Sequence, residues 1–170
     1  MVKPMLIDKG FDLVDIGVAL GATGSVAGLA GALLGGLWLN RLGRFNALMI
    51  FGILQAVAVS AWVIIALGVD GIVWVYGLSV MENFVAGLAT AALFTLMMDH
   101  CRSVCAGSDY TIQASIVVCV SILGAVVSGI SAGTVGYALH FCLAGVMGLF
   151  ALPFIYRYRY LYQNRVGVEV

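Results

Sequence analysis

Long uncharged stretches alternate with short polar segments along this chain. The first stretch, Ile16 to Asn40, has 25 residues without a charge, and a second runs from Phe45 to Val69. A helix needs about 20 mostly apolar residues to cross the hydrocarbon core of a bilayer. The pattern therefore predicts a transmembrane hairpin, with Arg41 and Arg44 in the turn between its helices.

The rest of the chain predicts three more spans. An uncharged run of 47 residues, Tyr110 to Tyr156, is too long for one span, and the segment Gly133 to Tyr137 offers a break within it. The predicted spans cover about 16–39, 45–69, 72–98, 111–132 and 139–156. They lie between a predicted external loop, 1–15, and a predicted cytoplasmic tail, 157–170, while Asp70 and Gly71 are predicted to form a tight turn.

Composition excludes most soluble classes. The chain is 63% hydrophobic and 9% charged, with a mean hydropathy of +1.11, whereas ordinary globular domains carry about 25% charged residues. The apolar runs are too long and continuous for barrel strands. A net charge of zero argues against binding to nucleic acid. The sequence therefore predicts an all-α, polytopic helical membrane protein with a single transmembrane domain and a lipid bilayer around it.

The distribution of basic residues predicts an orientation. Five spans put six arginines on one side and two lysines on the other, which marks the arginine side as cytoplasmic. We therefore expect a multi-pass plasma-membrane protein (bacterial inner membrane), with its N-terminus outside and its C-terminus in the cytoplasm. Because an exported N-terminus without a signal is awkward, we also expect that a preceding helix is missing. The residues counted are Arg41, Arg44, Arg102, Arg157, Arg159 and Arg165 against Lys3 and Lys9.

Small residues recur at every fourth position in the first and fourth spans. In a bilayer such ridges let another backbone approach closely. Helix packing is therefore predicted at Gly24, Gly28, Gly36, Gly129 and Gly133. The full ridges are Gly24, Gly28, Ala32 and Gly36 beside Ala27, Gly31 and Gly35, and Ser121, Ala125, Gly129 and Gly133 beside Gly124, Ser128, Ala132 and Gly136.

Glu82 is the candidate for chemistry within the membrane. It lies roughly 16 Å into the third span at 1.5 Å per residue, where an ionised side chain costs about 3 kcal/mol. Asn83 and Thr90 fall on the same helical face, and Gln113 could face a cavity from its cytoplasmic mouth. We interpret these four residues as substrate or proton-coupling groups. The alternative is an acid that neighbouring helices satisfy for structural reasons.

Other polar residues admit plainer interpretations. Asp99 is either a solvated loop acid or the partner of Arg41 and Arg44 in an ion pair across the loops. Gln55 is more typical of an interhelical hydrogen bond than of a substrate ligand. The four cysteines give no disulfide framework, and the pair Cys101 and Cys105 lacks the ligands of a metal site. No metal, cofactor or catalytic set is predicted, so the chain is not expected to be an enzyme.

The segment from Gly36 to Arg44 resembles a known signature. Its pattern, G-x3-N-R-x-G-R, is similar to the loop motif G-x3-[D/N]-R-x-G-R-[R/K] of the major facilitator superfamily, and departs from it at Phe45. In that family the motif joins the second and third helices of each six-helix half. The resemblance implies that the five spans are the last five helices of a half, with the first missing. We also predict that this segment forms a conformational latch with Asp99, in which the charges stabilise one conformation. The latch residues are Asn40, Arg41, Gly43, Arg44 and Asp99.

Two further segments narrow the resemblance. The stretch from Glu82 to Ala92 resembles the tenth helix of muropeptide permeases and related siderophore importers. The stretch from Gly107 to Ser115 resembles the start of the eleventh helix in the rhizobactin and pyochelin importer group. These similarities imply that Glu82 and Asn83 line a central cavity, and that the two glycine-ridged spans meet the other half of the transporter.

The expected function is therefore solute transport. We expect part of a secondary active transporter that imports a siderophore-like or muropeptide-like small molecule with protons, by alternating access, together with a missing N-terminal half. Two alternatives stay open. The chain could be a truncated, non-transporting fragment, or a structural or assembly subunit that needs a partner half.

Overall fold

The computed structural model describes residues 1–69 and 71–166, with side chains described to Leu161. Asp70 of the predicted turn and residues 167–170 of the predicted tail lie outside the described residues. Within the described chain, a short helix α1 precedes five helices, α2 to α6, that are long and apolar enough to cross a membrane. The all-α, polytopic prediction is confirmed. The helices are α1 (Val2–Asp8), α2 (Leu13–Leu42), α3 (Arg44–Ala66), α4 (Ile72–Asp99), α5 (Ala106–Val135) and α6 (Tyr137–Val166).

The prediction of a loop over residues 1–15 is wrong. Residues Val2–Asp8 form α1, and α2 already begins at Leu13. Pro4 is tolerated because it lies in the first turn, where backbone N–H groups have no intrahelical partner. Met5 and Leu6 are 0% exposed, so the helix is held by burial of its apolar side against the ends of the spanning helices.

Helix α6 continues through the start of the predicted tail, to Val166, and the cytoplasmic placement of that tail stays a prediction. The alternating tyrosines and arginines contain no helix breaker, so the helix runs on beyond the apolar stretch. The helices of the fourth and fifth predicted spans, α5 and α6, begin earlier than predicted, at Ala106 and Tyr137. The break between them is at Gly136, whose φ of 83° few other residues adopt readily.

The closest helix pair is α2 with α4. A Cβ atom added at Gly31 would overlap the carbonyl oxygen of Phe84, and one added at Gly87 would overlap the carbonyl oxygen of Gly28. Glycine on both helices thus lets the two backbones touch, as small residues do in membrane bundles. Gly36 has no atom within 4 Å of such a Cβ and lies on the exposed side of α2.

Helix α3 lies between α4 and α6 and packs on both. The helix α5 is peripheral: Ala132 is its only buried residue in the described part of the chain. The bundle has two ends. The α2–α3 and α4–α5 connections form one end, called here the arginine end, and α1 with the α5–α6 turn at Gly136 forms the opposite end.

Candidate functional site

Glu82 is held by a tryptophan. Its Oε2 accepts a hydrogen bond of 2.7 Å from the indole Nε1 of Trp62. Trp62 is fully buried and lies at an interruption of α3, between the segments that end at Ala61 and begin at Val63. An indole N–H can only donate a hydrogen bond. Because Trp62 belongs to α3, this contact holds the carboxylate on the side of α4 that faces α3.

A second polar contact joins α4 to α2. Ser79 is buried and its hydroxyl donates a 2.7 Å hydrogen bond to the carbonyl of Ala19. Ala19 lies in a π-helical segment, Gly17–Thr23, and also accepts a 2.7 Å hydrogen bond from the Thr23 hydroxyl. Wide π turns are rare and are frequently found at functional sites. Helices α2 and α3 are therefore both irregular where they meet the polar part of α4.

Asn83 faces α2, whereas Glu82 faces α3. Its Nδ2 donates to the Ser79 carbonyl over 2.9 Å. A Cβ at Gly24 would lie 2.9 Å from the same nitrogen, so the amide fills the space that this glycine leaves. Thr90, two turns further along α4, is exposed. The predicted polar face is thus divided among three environments, and the substrate roles of its members stay predictions.

Gln113 lies far from Glu82. Its Nε2 is 3.4 Å from the Met97 carbonyl and 3.6 Å from the Cys101 sulfur. Fifteen residues of α4 separate Glu82 from Met97, which is about 22 Å at 1.5 Å per residue. Gln113 instead borders a cavity of about 230 Å³ at the arginine end. That cavity is lined by Leu96, Met97, His100, Gln113 and Tyr158.

The arginine end contains the ion pair that the sequence allowed. The Arg44 guanidinium contacts the Asp99 carboxylate, with side chains 56% and 24% exposed. Arg41 is not a member of the pair. Gly43 separates α2 from α3 with a φ of 75°, which places Arg44 at the start of α3. The proposed latch therefore has a physical contact, and its role in transport stays a prediction.

A second ion pair at this end was missed. Arg102 binds Asp109 in a bidentate manner, with Nη2–Oδ1 and Nε–Oδ2 distances of 2.8 and 2.9 Å. This contact raises the pKa of Arg102. Partial burial, together with the nearby Asp109 carboxylate, raises the pKa of the Cys105 thiol. Asp109 lies in the first turn of α5, which begins at Ala106.

Two further features were not predicted from the sequence. Trp62 was one aromatic residue among many in a bulky span, and nothing local indicates its contact with Glu82. His140 is buried and hydrogen-bonded to Ser128 and Ser131 across the α5–α6 hairpin. The only available signal was a histidine inside an apolar run facing two serines three residues apart.

Much of this chain is similar in sequence to known proteins. The chain is 34% identical over 108 residues to the "Anhydromuropeptide permease" of Escherichia coli (strain K12), covering 63% of this chain and 22% of that protein. It is 25% identical over 160 residues to the "Putative transporter AmpG 3" of Rickettsia typhi, covering 94% of this chain and 38% of that protein. The chain resembles the muropeptide permeases. No family model matches it.

These relatives confirm the resemblance to the muropeptide permease branch of the major facilitator superfamily. They carry the names of permeases and transporters rather than of enzymes. Together with the five apolar helices they identify a multi-pass membrane protein related to transporters. The chain spans 22% to 38% of the length of these relatives.

Proposed function

We propose that this chain is the C-terminal half of a secondary active transporter that imports a muropeptide-like solute together with protons. Its partner would be an N-terminal half, and the two halves would rock about a site near the bilayer midplane. The observation that carries the proposal is Glu82, which lies inside a membrane helix and is held by Trp62. The names of the relatives support the solute class.

Protonation of Glu82 would supply the coupling. The ionised carboxylate makes a charge-assisted hydrogen bond with the Trp62 indole, and such bonds are roughly twice as strong as neutral ones. Adding a proton weakens this bond and so loosens α3 from α4. The interruption of α3 at Trp62 and the π-helical segment of α2 lie beside this contact, and helix irregularities of these kinds are where helices bend.

The latch would act at the other end of α4. The pair of Arg44 and Asp99 ties the start of α3 to the end of α4, so it stabilises the conformation in which these ends are close. We place this end in the cytoplasm of a bacterial inner membrane, with the N-terminus outside. Gln113 borders the cavity there and would meet the solute at its exit.

Transport by the complete gene product in proteoliposomes tests the proposal. We expect uptake of a radiolabelled anhydromuropeptide driven by an imposed pH gradient. Glu82→Gln should lower gradient-driven accumulation by at least about tenfold, since general proton-transfer groups contribute factors of this size or more. Solute counterflow without a gradient should persist. Met81→Leu, which changes the preceding residue and no charge, is the matched control.

Two results would reject parts of the proposal. Accumulation that is unchanged in Glu82→Gln would remove this residue from proton coupling. The resemblance also implied siderophore-like solutes, so uptake of a labelled ferric siderophore is measured in a separate arm. Uptake of siderophore without uptake of muropeptide would move the substrate to that class.

A further inference from the structure

His140 joins two helices through both nitrogens of its ring. It lies in the first turn of α6 and is 8% exposed. Its Nε2 is 3.0 Å from the Ser128 hydroxyl oxygen, and its Nδ1 is 2.6 Å from the Ser131 hydroxyl oxygen. Both serines belong to α5, whose other contacts with the bundle are few. The imidazole is thus a main polar link between these two helices.

The hydrogen bonds assign the neutral form of the ring. We assign the Ser131 hydroxyl as donor to the Ser128 carbonyl over 3.2 Å, and as acceptor of the hydrogen bond from Nδ1. A neutral imidazole has one N–H and one acceptor nitrogen. Nε2 is therefore the acceptor and the Ser128 hydroxyl donates to it. Every polar atom of the neutral ring is satisfied in this arrangement.

A proton added to Nε2 would disturb the arrangement. The Ser128 hydroxyl would have to turn and become an acceptor, and a positive charge would lie in a buried site. A buried charge needs a partner of opposite sign. Among the side chains that the structure describes, no carboxylate forms a hydrogen bond or ion pair with this ring.

The charged groups around the site do not supply that partner. The amino group of Met1 acts on His140 electrostatically, and its charge is also positive. On α6 itself, Tyr137 lies one turn away and donates its hydroxyl to Asp8, which engages that carboxylate. On α3, the indole N–H of Trp62 is hydrogen-bonded to Glu82. The ring is otherwise packed against Phe141.

We propose that His140 is a proton-binding site, separate from Glu82, that holds α5 and α6 together when neutral and releases them when protonated. The site is at the opposite end from the arginines, within one turn of the α5–α6 connection. A proton can therefore reach it from the aqueous phase at that end. The proposal rests on this hairpin alone, and the identity of the solute does not enter it.

The test measures the distance between α5 and α6. Spin labels are attached to cysteines at Val127→Cys and Leu143→Cys, both exposed positions, in the complete gene product in lipid nanodiscs without solute. The native cysteines are first replaced by serine. The distance is measured between pH 8 and pH 5, the interval in which histidine changes charge. We expect the distance to increase by about 2–5 Å on acidification, a typical range for helix shifts.

Two variants separate protonation from simple packing. His140→Gln keeps a polar side chain that does not titrate, so the distance should no longer depend on pH. Ser131→Ala removes one hydrogen bond and keeps the imidazole, so the pH dependence should persist. If His140→Gln does not assemble, ¹⁵N NMR of labelled histidine in the parent protein should show His140 gaining one proton over the same interval as the distance change.

Three outcomes overturn the proposal. The first is a parent protein whose α5–α6 distance is the same at both pH values. The second is an unchanged pH response in His140→Gln. The third is loss of the response in Ser131→Ala, because the contact would then act as a structural link only. No solute is present, so failure of the transport proposal would leave these measurements unaffected.

Discussion

Among the side chains that the structure describes, Glu82 makes its hydrogen bond with a neutral group, the Trp62 indole. The carboxylate has a buried indole N–H as its hydrogen-bond donor, and it remains partly accessible. An intramembrane carboxylate bound by an arginine would be held ionised by a fixed opposite charge. A neutral donor allows both protonation states, which fits the role in proton coupling proposed for this residue.

The contact between Trp62 and Glu82 makes a stability prediction. Trp62→Phe keeps most of the aromatic surface and removes the N–H, so it should lower the free energy of unfolding by about 1–3 kcal/mol, the range for an unsatisfied buried partner. In a Glu82→Gln background the additional loss should be smaller, because the charge is already absent. Thermal unfolding in detergent measures both. Trp38→Phe, at an exposed position, is the control, and equal losses in both backgrounds would contradict the assignment.

Cys105 provides a prediction outside the spanning segments. Its thiol pKa is raised by partial burial and by the Asp109 carboxylate, so it should carry less reactive thiolate at pH 8 than an ordinary cysteine. Asp109→Asn removes the negative charge and lowers the thiol pKa, so alkylation should become faster. The measurement is the maleimide labelling rate in a protein that retains only Cys105. A rate that Asp109→Asn does not change would refute the electrostatic cause.

At the scale of elements, the contact between α2 and α4 uses some small residues of α2 and leaves others exposed. Ala27, Gly31 and Gly35 are buried, whereas Gly36 of the neighbouring ridge has free space around it. Both ridges were visible in the sequence. Only the packing of α4 decides which members of each ridge are used: Gly24 and Gly28 also lie against α4, whereas Gly36, further along the same ridge, does not.

A matched pair of substitutions tests this selection. Gly31→Ala should lower the free energy of unfolding by about 1–3 kcal/mol, because the new methyl group meets the Phe84 backbone, which cannot yield as a side chain would. Gly36→Ala should be neutral or stabilise by up to about 1 kcal/mol through helix propensity. The fraction folded in increasing denaturant reports both. Equal effects would mean that the two backbones do not touch at Gly31.

At the scale of the whole molecule, α5 exposes much of its small-residue surface. Gly124 and Gly133 have no atom within 4 Å of an added Cβ, while Gly129 meets the Met1 side chain. The resemblance implied that this helix meets the other half of a transporter. In that interpretation the exposed small residues are the intended contact, and lipid would cover them only in the isolated half.

Assembly of the two halves tests this interpretation. Gly133→Leu adds bulk on the exposed ridge without touching the described bundle, so it should weaken co-purification of the separately expressed halves severalfold and leave the fold of this chain unchanged. Val127→Leu, on a different side of α5, is the control. Undiminished co-purification of Gly133→Leu would place the interface elsewhere.

The latch is also a prediction for the whole molecule. An exposed ion pair contributes only about 0.2–1 kcal/mol to stability, so a large effect on transport would reflect conformational control. Arg44→Asp should lower uptake severalfold, and the reversed pair Arg44→Asp with Asp99→Arg should restore much of it. Initial uptake rates measure both. Failure of the reversed pair to recover any activity would argue against a latch based on charge.

The sequence by itself determined the class, the number of spans and most of their boundaries. Uncharged runs of that length have few other stable solutions in lipid, because every backbone polar group must be satisfied within a helix. The helix at Val2–Asp8 falls in the predicted loop 1–15, outside the predicted spans, where that constraint no longer applies. There, helix α1 depends on burial of Met5 and Leu6 by distant residues.

Only the tertiary structure decided which polar groups meet. It joined Glu82 to Trp62 and His140 to two serines, paired Arg44 rather than Arg41 with Asp99, and placed Gln113 at the far end of α4 from Glu82. Periodicity fixes the face of a residue on its own helix. It does not fix the rotation or height of the neighbouring helices, and these two quantities determine every contact between spans.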